Sequence, residues 1–299
     1  MPVYDIKEIS KEAKIIYYDA LKKMRENEEN QILIQLRNYK YKEPNLDFSK
    51  VKEDFDIEIK MIDDAKNYYF KKKGKINDTV VLMLHGGGYV LPVSQNNIIG
   101  ATLYSKYIND CDVLVPDYKV ASQASHVVAL NNVYNSYLFL KDKYKNIILA
   151  GQSAGGNLAL GLLEYLKDNN IEYPKCVVLA SPWTDYNCEG DSYTFNKNED
   201  ILFGTKGSDV LPDPYNKIHN KYMFPLDFNM DNYPPIMINV AKTERLLSDS
   251  LSLYNKLNKK ESILYLYPLM WHDFYTHNDT IKECNDCWNR IKIFVQNYI

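Results

Sequence analysis

Cysteine is scarce and unframed in this chain: Cys111, Cys176, Cys188, Cys284 and Cys287 are the only five among 299 residues. An odd number without framework spacing excludes a secreted disulfide scaffold. Cys284 and Cys287 form a CxxC, but a zinc site needs a second ligand pair and a thioredoxin-type site follows a strand. Here the pair falls in a helical pattern over 281–298, just before Trp288, where i,i+3 spacing is one helix face. No metal is expected. Long apolar runs are also missing: none approaches the roughly 18 residues of a membrane span. The N-terminus, Met1-Pro2-Val3-Tyr4-Asp5, has no charged segment leading into an apolar one. The chain therefore reads as soluble, cytoplasmic and not inserted in a membrane.

Charge of one sign is lacking too. Thirty-six Lys and Arg balance 39 Asp and Glu, for a formal net charge of −3, and nucleic-acid binding needs a clustered basic face. The one dense basic run, Lys71-Lys72-Lys73-Gly74-Lys75, fits a solvated hairpin turn. Neither GxGxxG nor GxxxxGK[ST] occurs, so no phosphate cradle and no cofactor are expected. Repeats and low-complexity tracts are absent.

What is present is a succession of short apolar runs with room for a helix between them: Val80–Leu84, Val113–Val115, Ile147–Ala150, Val177–Ala180, Ile236–Val240 and Ile263–Tyr267. Continuous runs suit strands buried on both faces of a parallel sheet. Helical periodicity marks 100–109, 128–143, 155–168, 246–259 and 281–298. Alternation over 56–62 and an extended 68–72 predict an antiparallel pair feeding the sheet. Two segments fall outside this pattern. Residues 5–38 form an amphipathic helical stretch, the N-terminal cap of a division into 1–50 and a catalytic domain over 51–299. Residues 184–233, with Pro212, Pro214 and Pro225, are too long for a bare loop and read as a second cap insertion.

Three motifs carry chemistry. Gly151-Gln152-Ser153-Ala154-Gly155 stands between a strand and a Leu-rich helix, the setting of a nucleophile elbow, so Ser153 Oγ would attack a carbonyl once a base takes its proton. After the strand Val80–Leu84 comes His85-Gly86-Gly87-Gly88-Tyr89. Unshielded N–H groups of Gly86, Gly87 and Gly88, with that of Ala154, would stabilise an oxyanion, and His85 would fasten their loop. The base should follow the last strand, where His272 stands in the first turn and His277 five residues further on; position favours His272. The acid should follow the preceding strand. Glu244 is at the strand end and Asp249 a turn into the helix, which makes Glu244 the first candidate and Asp249 the alternative.

These residues resemble the hormone-sensitive-lipase-like branch of the α/β-hydrolases, the esterases marked by HGGG and GxSAG. The likeness runs in order over 54–298: His85 to Gly88; Asp117-Tyr118-Lys119-Val120-Ala121, where the family carries a D-Y-R-L-A-P-E-like segment; Ser153; Ser181-Pro182-Trp183-Thr184-Asp185; Glu244; and His272-Asp273-Phe274. Ser122 and Gln123 replace the family's Pro-Glu, and Glu244 stands where Asp is commoner. The resemblance implies an α/β-hydrolase fold, an eight-stranded, mostly parallel sheet with a helical cap. It implies a serine carboxylesterase acting on short acyl esters such as acetyl, through Ser153, His272 and Glu244. An amidase or formamidase with the same triad, or a non-catalytic ligand-binding homologue, are the alternatives. Tyr89, Trp183 and Phe274 are the aromatics expected to line the pocket. The expected partner is a small-molecule ester, a homodimer is compatible with this reading, and specificity would reside in the caps.

Overall fold

A computed structural model describes residues 3–26, 30–204, 213–215, 218–257 and 261–299. Positions 27–29, 205–212, 216–217 and 258–259 of the expected caps and helices, Pro212 included, lie outside the described residues. The elements, in chain order, are β1 (Val3–Asp5), α1 (Lys11–Glu26), α2 (Gln31–Asn38), β2 (Phe55–Ile62), β3 (Ala65–Lys72), β4 (Thr79–Leu84), α3 (Gln95–Tyr107), β5 (Asp112–Asp117) and α4 (His126–Lys141). Then follow β6 (Asn146–Gln152), α5 (Ala154–Asp168), β7 (Cys176–Ala180), the short α6 (Ser192–Phe195), β8 (Ile236–Ala241), α7 (Leu247–Lys256), β9 (Ile263–Tyr267) and α8 (Lys282–Gln296). Two single turns of 3₁₀ helix, Lys221–Met223 and Pro225–Asp227, lie between α6 and β8.

The strands form one nine-stranded sheet in the order β1-β9-β8-β7-β6-β4-β5-β3-β2. Only the β2–β3 and β3–β5 pairs are antiparallel. That is the expected architecture with one strand more. The addition is β1, whose Val3 to Asp5 pair in parallel with Leu264 to Leu266. Three residues are too few for a periodic signal, and this strand exists because the open edge of β9 offers unpaired N–H and C=O groups.

The apolar runs behave as strands covered on both sides. Along β4, Val80, Leu82 and Leu84 enter one core with α4, α5 and α7. Val81 and Met83 enter the other with α3 and α8. Every residue of β4, β5, β7 and β8 is buried, which is why no polar alternation shows in the sequence. In α8, Cys284 and Cys287 are buried in the second core, where burial pushes both thiols up and Cys284 Sγ donates to Phe274 O at 3.3 Å. Nothing in this placement resembles a redox pair.

The segments outside the alternation meet above the sheet's carboxyl edge. Helix α1 buries Ala13, Tyr17 and Leu21, and Tyr17 Oη donates to Glu199 O at 2.9 Å. Asn30 caps α2 by accepting from Leu33 N at 2.9 Å. Its amide Nδ2 also donates to Leu202 O and Gly204 O, at 2.8 and 2.6 Å. The N-terminal helices are thus hydrogen-bonded to the stretch that follows α6.

Candidate active site

The carboxyl ends of β4, β6, β8 and β9 deliver the four motif segments to one rim, as parallel topology requires. Ser153 joins β6 to α5 with φ 53° and ψ −121°, a conformation most residues avoid, stored here as local strain. Ser153 N donates to Ala180 O at 2.9 Å, and Ser153 O accepts from Trp183 N at 3.0 Å. The flanking glycines are steric necessities. A Cβ on Gly155 would stand 2.3 Å from Leu84 O and 2.4 Å from His85 O, and one on Gly151 would stand 2.5 Å from Gly155 O.

The oxyanion loop lies against this turn: a Cβ on Gly86 would be 3.1 Å from Ser153 Cβ. Gly87 and Gly88 have φ of 113° and 61°, and among the described residues their N–H groups make no hydrogen bond. His85 is wholly buried, its Nδ1 2.7 Å from Gly86 O. Burial pulls its imidazole down to about 4, partly offset by that carbonyl, so it is neutral and structural. Tyr118 stacks on it at 4.2 Å and donates its hydroxyl to His85 O at 2.7 Å. The sequence departure at Ser122 and Gln123 costs little structure. Ala121 N donates to Tyr89 O at 2.8 Å, and Gln123 closes its own turn by accepting from Val120 N at 3.1 Å through Oε1.

His272 follows β9, and its Nδ1 lies 2.7 Å from Glu244 Oε2. The other oxygen, Oε1, accepts from Ala241 N at 2.7 Å and Ser181 Oγ at 2.8 Å. Glu244 is fully buried, and its three donors satisfy the charge there. Asp249 does something else: its Oδ2 accepts from the N–H groups of Thr184 and Asp185, both at 2.7 Å. Burial drives its carboxyl well above the usual range. Of the two acids the sequence offers, Glu244 therefore meets the imidazole and Asp249 ties down the chain after β7.

Burial on its own would pull His272 down. The carboxylates around it outweigh that, Asp273 first, then Glu244 and Asp200, and hold the imidazole up at about 9. Among the described residues the buried His272 Nε2 has no hydrogen-bond partner; His272 and Ser153 both line a cavity of about 360 Å³. Gly86, Gly87, Gly88 and Trp183 line the same cavity. His277 lines it too, but at its rim and without a carboxylate partner.

Two expected pocket aromatics lie elsewhere. Tyr89 is buried in the first core, its hydroxyl donating to Asn157 Oδ1 at 2.6 Å, and Phe274 packs in the second core against Tyr267 at 4.8 Å. Neither lines the cavity. The walls come instead from residues that motif reasoning passed over: Ile32 and Leu36 of α2, and Leu202 and Phe203. Phe203 sets its ring edge-on to His272 at 4.8 Å. Asp273 also reaches the cavity. Among the described residues, no cluster of three or more His, Cys, Asp or Glu could hold a metal, and no helix is long and apolar enough to cross a membrane.

At the carboxyl edge of an open α/β sheet, a strained serine at a strand-to-helix turn thus shares one cavity with an acid-held imidazole. A family profile described as the alpha/beta hydrolase fold matches residues 81–276, and the chain belongs to that family. It is 28% identical over 221 residues to an esterase of Acinetobacter venetianus, spanning 68% of this chain and 70% of that protein. To an acetyl-hydrolase of Streptomyces hygroscopicus it is 27% identical over 216 residues, again 68% of this chain and 70% of the other. Among solved structures, an esterase of the bacterial hormone-sensitive lipase family superposes with a TM-score of 0.75 at 20% identity, covering 98% of this chain and all of that one. A hormone-sensitive lipase from a metagenome library gives 0.76 at 18% identity, with 98% and 100% coverage. The fold is that of these esterases.

Proposed function

We propose that this chain is a serine carboxylesterase that removes short acyl groups, acetyl among them, through a Ser153–His272–Glu244 triad. The observation that carries the reading is the shared cavity: Ser153 and His272 both line it, and Glu244 holds the Nδ1 side of the imidazole at 2.7 Å. The chain is a carboxylic ester hydrolase, in keeping with relatives named esterase and acetyl-hydrolase. A cavity of about 360 Å³ falls in the range of small-molecule sites, at its lower end.

In the reaction, His272 Nε2 takes the proton of Ser153 Oγ as Oγ bonds to the ester carbonyl carbon. The resulting oxyanion accepts from the N–H groups of Gly87, Gly88 and Ala154, the last being a free donor at the start of α5. The imidazolium, stabilised by Glu244, then gives its proton to the departing alcohol oxygen. Water, deprotonated by the same nitrogen, releases the acid and restores the serine. Four of the chain's five cysteines are buried, which suits the reducing cytoplasm. The test is Ser153→Ala against wild type on short nitrophenyl esters, with fluorophosphonate labelling of both. The expected result is labelling of wild type only and a loss of about a thousandfold or more in kcat; equal rates refute the mechanism.

A further inference from the structure

Asp273 is the one carboxyl among the residues lining the cavity, and the reaction above does not use it. Its Oδ2 stands 3.5 Å from His272 Nε2, beyond hydrogen-bonding reach, and its Oδ1 has no partner. The residue is fixed in a left-handed conformation, φ 57°, and its N–H donates to Ser181 Oγ at 3.3 Å. An aspartate held in that conformation, with a carboxyl left unsatisfied at a largely buried site, is costly unless something satisfies it. Burial pushes the carboxyl up to about 7, Glu244 adding to this and His272 opposing it; whether charged or neutral, it accepts a hydrogen bond.

Its place relative to the chemistry identifies what it would accept from. Nε2 is the nitrogen that hands its proton to the leaving oxygen, so a group 3.5 Å from Nε2 borders the alcohol portion of the ester. Polar side chains accompany Asp273 in the cavity lining. Helix α3 packs on the chain after β9 so closely that a Cβ on Gly100 would stand 2.6 Å from Thr276 O. Asn96 and Asn97 at the start of α3 therefore share a wall with Asp273 and Thr276, and all four line the cavity. Its apolar lining includes Ile32, Leu36, Leu91, Phe203 and Trp271.

We propose that Asp273 is the specificity-determining residue of the leaving-group side, and that the ester this enzyme hydrolyses carries a hydroxyl on its alcohol portion, donated to the Asp273 carboxyl. The substrate class is then the short-chain monoester of a diol or polyol, not of a simple alkanol. This rests on the esterase reading above.

The test compares 2-hydroxyethyl acetate with propyl acetate, which differ by hydroxyl against methyl at one position. Wild type is expected to favour the hydroxyl ester in kcat/KM by at least about tenfold, because a buried acceptor left unpaired penalises the analogue. Asp273→Gly, which suits the left-handed backbone, should bring the ratio to within about twofold of unity. Asp273→Asn keeps an acceptor oxygen and should retain part of the preference. The ratio is its own control, since a merely structural defect lowers both rates together. A wild-type ratio near unity, or a preference that survives Asp273→Gly, overturns the proposal. If wild type hydrolyses neither ester and fluorophosphonate does not label Ser153, the esterase reading itself fails and this proposal with it.

Discussion

Replacing Glu244 by Gln separates the two acids that stand five residues apart. The carboxylate uses Oε1 for Ala241 N and Ser181 Oγ, at 2.7 and 2.8 Å, and Oε2 for His272 Nδ1 at 2.7 Å. A glutamine keeps its carbonyl oxygen where two donors converge, so its amide N–H₂ must face Nδ1. An imidazole that accepts at Nδ1 carries its proton on Nε2 and cannot take one from Ser153: the tautomer is wrong. The imidazolium of the transition state also loses its counter-charge. In serine hydrolases the comparable change lowers kcat by about 10⁴-fold, and about 10³ to 10⁴ is expected here, or roughly 4 to 5.5 kcal/mol of transition-state stabilisation.

Asp249→Asn is the matched control. Burial drives that carboxyl well above the usual range, it does not touch His272, and an amide oxygen can accept from Thr184 N and Asp185 N as Oδ2 does now. Its kcat should stay within about threefold of wild type. The assay is steady-state hydrolysis of phenyl acetate, with urea melts of each variant to show that both are folded. Comparable losses in the two variants, or a Glu244→Gln enzyme that keeps more than about a tenth of wild-type kcat, would refute the tautomer reasoning.

Two further outcomes are expected. Because Asp273, Glu244 and Asp200 hold His272 up at about 9, and only neutral imidazole accepts the serine proton, kcat/KM should rise with pH through about 9 and not through the ordinary histidine range. Asp273→Asn removes a negative charge that favours the imidazolium, so the limb should move down by about one unit or more; a limb that does not move refutes the coupling. Asn30→Ala removes both the cap of α2 and the bonds to Leu202 O and Gly204 O. It should lower unfolding stability by about 1 to 2 kcal/mol in urea melts and raise KM, since Leu202 lines the cavity.

The parts of this molecule that were legible in the sequence are those whose physics is local. A serine between glycines at a strand-to-helix turn is readable because the steric demand is set within five residues, and the 2.3 Å approach at Gly155 is that demand in three dimensions. The doubly covered strands are readable because burial on both faces erases alternation. Glu244 and Asp249 differ in what distant segments bring to them, His272 to one and the chain after β7 to the other, so position after β8 could rank them but not assign their work. Tyr89 and Phe274 were expected at the pocket because they adjoin motif residues, yet both stand in turns, Tyr89 with a left-handed φ of 59°, and adjacency in sequence does not fix where a turn residue points. Both turned into the cores, and the walls came from α2 and from Leu202 and Phe203, far away in the chain. Asp273 shows the same limit from the other side. It belongs to the His272-Asp273-Phe274 segment, but only its left-handed φ of 57° swings a residue next to His272 back into the same cavity. A left-handed aspartate is among the commoner exceptions to the steric rule, so the residue type was a usable signal. It turned on a backbone angle that no periodicity encodes. The substrate side of this enzyme is thus set by residues whose chemistry is plain and whose placement is not, which is why the choice between a hydroxylated and a plain alkyl alcohol rests on one carboxyl beside Nε2.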